Sequence, residues 1–176
     1  CIFMPLTAFL TKTKLSKMPK KFAKMSMMAI TTTSGAICLP TKMEDEVTKF
    51  GVSRKVADFT GPITMSMNST GAAQCYVAAI FFMAQATGVE LSAYQMGMAI
   101  LLSCLMCMGT ISVPGGSTVV YTFLASSLGL PLESIAILIG VDWFAGMFRT
   151  LMNVDVDVMV AMLVANKLGE LDHDVY

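Results

Sequence analysis

Asp142, Arg149, Asn153 and Asp157 follow one another at spacings of seven, four and four residues. At about 100° per residue they fall within a sector of roughly 80° on one helix. Gly146 and Thr150 lie on or beside that sector, while Asp155 points the opposite way. Their setting, "VDWFAGMFRTLMNVDVDVMV", otherwise reads as the apolar wall of a membrane helix. Ionisable groups in such a helix normally face a bundle interior or a watery cavity and mark a functional site. A guanidinium holds a carboxylate in a bidentate fork, and Asn153 and Asp157 offer oxygens of the hard kind that suit an alkali cation. One helix thus presents an anion binder and a cation binder. The competing reading is a structural ion pair of Asp142 with Arg149.

Three interrupted segments add polar groups. "MSMNSTG", Met65 to Gly71, frees backbone carbonyls and adds Ser66, Asn68, Ser69 and Thr70 at membrane depth, where irregular backbone is tolerated only against protein or a cavity. The runs "TTSGA" and "SVPGG" are candidate hairpin tips whose backbone N–H groups, opening a second helical half, seat a carboxylate. Ser and Thr in membrane helices also simply satisfy a neighbouring carbonyl, so each of these residues singly has a bland reading.

The elements that must position these groups are membrane helices. The chain has 176 residues, 55% of them hydrophobic and 14% charged, against about 25% charged in an ordinary soluble domain, with a mean hydropathy of +0.69. Ten of the twelve Lys and Arg lie between Lys12 and Lys55, and residues 56–148 contain none, a gap no ordinary solvated surface shows. The net charge of zero gives no argument for a nucleic-acid partner. Five cysteines, an odd number among apolar neighbours, argue against a disulfide framework and read as small buried hydrophobes. The CxxC of Cys104 and Cys107 lacks the second pair or histidine that a metal site needs. His173, the single histidine, reads as a solvated tail residue. The chain opens on Cys1 with no basic leader, so no signal peptide is expected and the sequence reads as a segment whose N-terminal part lies elsewhere.

The expected fold is an all-α integral membrane arrangement with two re-entrant helical hairpins, a broken transmembrane helix and a long transmembrane helix. Residues 1–10 read as the end of a transmembrane helix, 11–24 as a basic cytoplasmic linker and 25–50 as the first hairpin. Residues 54–87 form a transmembrane helix broken over Pro62 to Gly71, 91–129 the second hairpin, 131–168 a spanning helix and 169–176 an acidic cytoplasmic tail. The positively charged stretches Lys12 to Lys24 and Lys42 to Lys55 face the cytoplasm by the positive-inside rule, so the hairpins dip in from opposite sides.

The chain resembles the glutamate and aspartate transporter family, the dicarboxylate/amino acid:cation symporters, over roughly Ala29 to Leu168. "RTLMNVDVD" is similar to that family's signature of Arg-Thr, two apolar residues, Asn-Val, two residues and Asp. The resemblance implies a glutamate-transporter-like transport domain in which Arg149 binds a substrate carboxylate and Thr150, Asn153 and Thr70 attend the substrate. "GTISVPGG" resembles the second hairpin tip, which implies that Val113 to Gly115 cover the substrate as an external gate. "TTTSGAICLP" resembles the first tip, whose backbone at Ser34 and Gly35 would receive a carboxylate. The implied cation set is Asp157 with Asn153, Ser66, Asn68 and Thr64, plus Thr110 near a second sodium. Sodium is the implied coupling ion, with protons as the alternative. The implied partners are a small carboxylate substrate, membrane lipid and a homotrimer formed through scaffold helices preceding Cys1.

Two departures bear on the substrate. Ser66-Met67-Asn68-Ser69-Thr70 stands where the family usually reads Asn-Met-Asp-Gly-Thr, which removes a negative charge from a sodium site. Gly146 stands where amino acid transporting members place an Asp that meets the substrate ammonium, an Asp that C4-dicarboxylate carriers also lack. The expectation is therefore symport of a C4-dicarboxylate by alternating access. A sodium-coupled amino acid carrier is the first alternative, with Asp142 or Asn68 meeting the ammonium. A non-transporting membrane bundle is the second. An enzyme has no support, because no nucleophile, base and orienting group occur together.

Overall fold

The computed structural model describes residues 2–109 and 116–176. Eight α-helices account for most of them: α1 Phe3–Thr11, α2 Met18–Thr32, α3 Gly35–Thr48, α4 Arg54–Met67, α5 Thr70–Ala86, α6 Ala93–Gly109, α7 Gly116–Leu128 and α8 Ile135–Leu168. Short 3-10 turns at Leu15–Lys17 and Leu132–Ser134 lead into α2 and α8. The helices form two compact units, one of Cys1–Asn68 with Thr150–Tyr176 and one of Ser69–Arg149.

The first unit is built on stripes at helical spacing. Met18, Phe22, Met25 and Ala29 bury one face of α2, and Val154, Val158, Ala161, Met162 and Ala165 do the same on α8. That stripe starts the helix at Met18, so Lys20, Lys21 and Lys24, within the basic stretch 11–24, lie on α2. Ser34 opens α3 as its N-cap, its Oγ accepting from the Ile37 amide, and Ser53 opens α4 in the same way. Pro62 lies inside α4, which continues to Met67. The break is thus confined to Asn68 and Ser69, narrower than the Pro62 to Gly71 interval expected, because a single interior proline removes one helical hydrogen bond and kinks a helix without having to end it.

The tail is tied to this unit. Leu171 bridges Val52, and the Asp172 amide donates to the Gly51 carbonyl at 2.7 Å. Gly51 has φ of +72°, and a Cβ there would run into the Asp172 carbonyl, so only glycine fits. The Ser53 hydroxyl donates to Glu170, and the ammonium of Lys21 sits 4.2 Å from the Tyr176 ring centroid. Burial, and then the like charge of Lys17, lower the Lys21 pKa below the ordinary lysine value. His173 is exposed, while Tyr176 at the end of the same stretch is buried.

In the second unit Tyr76, Ile80 and Met83 of α5 pack with Val120, Tyr121, Leu124 and Leu128 of α7. The rings of Tyr76 and Tyr121 meet edge to face, 5.7 Å apart. Of the cysteines, Cys38 and Cys107 are buried as expected, but Cys75 is half-buried and Cys104 exposed, since Cys104 falls outside the buried stripe of α6 that carries Ala99, Ser103 and Cys107. Among the described residues one stretch, Leu132–Leu168, is long and apolar enough to cross a membrane. At about 1.5 Å per residue it is longer than the hydrocarbon layer of roughly 30 Å, and a crossing would be tilted. Ile137, Val141, Trp143, Phe144 and Phe148 on it are exposed, a surface suited to hydrocarbon.

Candidate functional site

Two polar constellations are built into the helices, one in each unit. In the first unit Lys42 projects from α3 and is 1% exposed. Its Nζ donates to Asp157 Oδ2 at 2.7 Å, to the Gly61 carbonyl at 3.0 Å and to Thr64 Oγ1 at 3.2 Å. An ammonium has three donors, and here each has an acceptor. The other carboxylate oxygen of Asp157 accepts from Asn68 Nδ2 at 2.8 Å, and that amide also donates to the Asn153 carbonyl at 3.0 Å. α4 comes close enough to offer its Gly61 carbonyl because residue 61 has no Cβ; one would lie 2.8 Å from Met43 Cγ of α3. Glu46, one turn beyond Lys42, is fully buried, and neither of its carboxylate oxygens has a hydrogen-bond partner among the described residues.

In the second unit Asp142 accepts hydrogen bonds from Ser117 Oγ and, at 2.9 Å, from Tyr121 Oη, one turn apart on α7. Arg149 Nη1 approaches Asp142 Oδ1 only to 3.6 Å. That is an ion pair by distance, too long for a hydrogen bond. Nη1 is buried and has no hydrogen-bond partner among the described residues. Gly146 leaves space beside the guanidinium: a Cβ there would stand 3.5 Å from Arg149 Nη2. Hydroxyls satisfy Asp142, and the cation beside it keeps a buried donor unused, the arrangement that a carboxylate or other anion completes.

The model of the sodium:dicarboxylate symporter family matches residues 1–167 of this sequence. The chain belongs to the sodium:dicarboxylate symporter family. The resemblance read from "RTLMNVDVD" is thereby borne out. Among relatives in the sodium:dicarboxylate symporter family, the chain is 30% identical over 164 residues to the proton/glutamate-aspartate symporter of Bacillus subtilis, covering 93% of this chain and 39% of that protein. It is 31% identical over 176 residues to the human excitatory amino acid transporter 2, covering 97% and 30% respectively. Against the human neutral amino acid transporter A it is 29% identical over 148 residues, covering 81% and 28%. The chain therefore spans between about a quarter and two fifths of the length of these relatives. Membership in this family makes this a membrane protein, and the relatives named above are transporters.

The residues expected to serve a sodium:dicarboxylate symporter site fall into place unevenly. Thr64, Asn68, Asn153 and Asp157 come together in the first unit, and Thr150 is buried on the adjoining turn of α8. Ser66 does not join them; it is exposed, with its hydroxyl on the Ile63 carbonyl of its own helix. Ser34 and Gly35 open α3, and Thr70 is the first residue of α5 in the second unit. Thr110, Val113 and Gly115 lie outside the described residues. Asp155, set aside as pointing away, is buried and accepts both 3.0 and 3.1 Å hydrogen bonds from Ser26.

Lys42 and Glu46 were missed. Lys42 counted towards a basic cytoplasmic stretch, whereas the structure buries it. The signal that was available is helical spacing, because Cys38, Lys42, Asp45 and Glu46 share one buried face of α3. Among the described residues no hydrogen-bond donor compensates the desolvation of a charged Glu46. Glu46→Gln is therefore expected to leave thermal stability unchanged or raised; a fall of more than about 1 kcal/mol would show that the charged form is stabilised in the fold.

Proposed function

We propose that this chain is the substrate- and cation-handling part of a cation-coupled symporter for an acidic organic substrate, working by alternating access. The observation that carries the reading is the buried Arg149 Nη1 without a hydrogen-bond partner, beside an Asp142 whose oxygens are already met by Ser117 and Tyr121. A substrate carboxylate completes it. A second carboxylate is received at the amino end of α3, at Ser34 and Gly35, and Thr70, Thr150 and Asn153 attend the substrate. The external gate is assigned by the family resemblance alone to Val113 to Gly115, outside the described residues. α2–α3 and α6–α7 are the re-entrant hairpins, α4–α5 the broken helix and α8 the spanning helix, in lipid and within a homotrimer.

Asp157, Thr64, Asn68 and Asn153 are the cation-handling groups, and the family resemblance adds Thr110 for a second cation. The carboxylate, hydroxyl and carbonyl oxygens around Asp157 are of the type an alkali cation accepts; a cation supplies positive charge that balances the carboxylates of site and substrate. The relative named for glutamate and aspartate supports an acidic amino acid as the substrate. Gly146 supports the second reading, a C4-dicarboxylate, since no carboxylate stands there for an ammonium.

Thermal stabilisation of the purified protein by aspartate, glutamate, succinate and fumarate, each in sodium, in potassium and across pH, separates these readings by mass action. Sodium-dependent stabilisation by aspartate or glutamate fixes the amino acid class. Stabilisation by succinate alone fixes the dicarboxylate, and a response to pH in place of sodium identifies the proton as the coupling ion. No response to any of the four acids would refute the proposal.

A further inference from the structure

We propose that the Lys42 ammonium is a tethered cation: it fills the seat that an exchangeable monovalent cation would take at Asp157, so that the native chain binds no sodium there. The inference rests on the symporter reading above and changes its cation set: at Asp157 the cation handled is the Lys42 ammonium, and an exchangeable ion is left to the rest of the site. Its basis is the shell around Nζ. One carboxylate, one backbone carbonyl and one hydroxyl, contributed by α8 and α4, surround a positive centre that α3 supplies, at 2.7, 3.0 and 3.2 Å. A salt bridge needs only the carboxylate; the two neutral oxygens are what a cation seat adds.

Charge points the same way. Lys42 and Asp157 are 1% and 4% exposed at their side chains and cancel each other. A further cation at Asp157 would add uncompensated charge in a poorly solvated interior, where repulsion between like charges is strong. Asn68, neutral, takes the second oxygen of Asp157 as a donor, and so adds no negative charge to attract an ion. Glu46 lies outside the bonding shell of the ammonium. The seat is therefore already neutral and coordinatively complete. At this position the chain carries its positive charge through every conformational exchange, where an exchangeable ion would enter on one side and leave on the other.

The test measures cation binding with no organic substrate present. Native protein, K42M, K42Q and the K42M/D157N double variant are compared in chloride salts of sodium, potassium and N-methylglucamine at one ionic strength, by thermal unfolding and by equilibrium binding of radioactive sodium. The expected result is that K42M and K42Q are destabilised in N-methylglucamine and recover in sodium or potassium. K42M should gain one bound alkali cation over the native chain, and K42M/D157N should lose both the recovery and the extra ion. The proposal is overturned if K42M gains no ion, if D157N alone removes a sodium from the native chain, or if K42M stays unfolded in every salt while K42M/D157N folds. The symporter reading stands or falls separately, on acidic ligands and Arg149.

Discussion

Asp157→Ala is expected to destabilise the first unit by about 3–5 kcal/mol, the cost of leaving one member of a buried ion pair without its partner. Lys42 would keep the Gly61 carbonyl and the Thr64 hydroxyl but lose the carboxylate it is paired with, and Asn68 would lose an acceptor. Asp157→Asn keeps an oxygen for the ammonium while removing the charge, and should fall between the native chain and alanine. In the K42M/D157A double variant the loss should be well short of the sum of the two single losses, because the second substitution removes the group that the first leaves stranded. Reversible unfolding in detergent measures all four. A cost for Asp157→Ala below about 1 kcal/mol would mean that water reaches the pair and that it behaves like a surface salt bridge.

Arg149→Ala should abolish the stabilisation given by acidic ligands. Removing one partner of a buried charge pair costs a complex about 2–5 kcal/mol, or roughly thirty- to several-thousand-fold in Kd. Arg149→Lys should not restore binding, since an ammonium lacks the planar fork that holds a carboxylate at two points. The fold itself should tolerate Arg149→Ala, because Asp142 retains Ser117 and Tyr121. Titration of ligand against melting temperature reads both effects. Unchanged affinity in Arg149→Ala would remove Arg149 from the site, whatever the fate of Asp157.

Arg149 was legible in the sequence because it interrupts a long stretch without basic residues, and a lone arginine in such a stretch demands a counter-charge. Asp157, Asn153 and Thr64 were legible from helical spacing and from the resemblance, and α8 from its length. Lys42 was not, because charge counting groups residues by proximity along the chain, while its burial depends on Gly61 and Asp157, 19 and 115 residues away. The bonds from Ser117 and Tyr121 to Asp142 were hidden for the same reason, as they join α7 to α8 and leave no local mark. The break after α4 is narrower than the interval Pro62 to Gly71 because packing on Thr60, Gly61 and Thr64 holds the helix through its proline, and that packing leaves no mark in the local sequence.

The triple anchoring of one ammonium also bears on how the first unit opens. Lys42, Gly61 and Asp157 belong to α3, α4 and α8, so α3 and α8 cannot part without stranding a buried charge, and α4 cannot leave without taking two of the ammonium's acceptors. Segments coupled in this way exchange their amide protons as a single cooperative block. Amides around Lys42, Gly61 and Asp157 should then share one opening free energy, and in Lys42→Met without an alkali cation that common value should split into separate, lower ones.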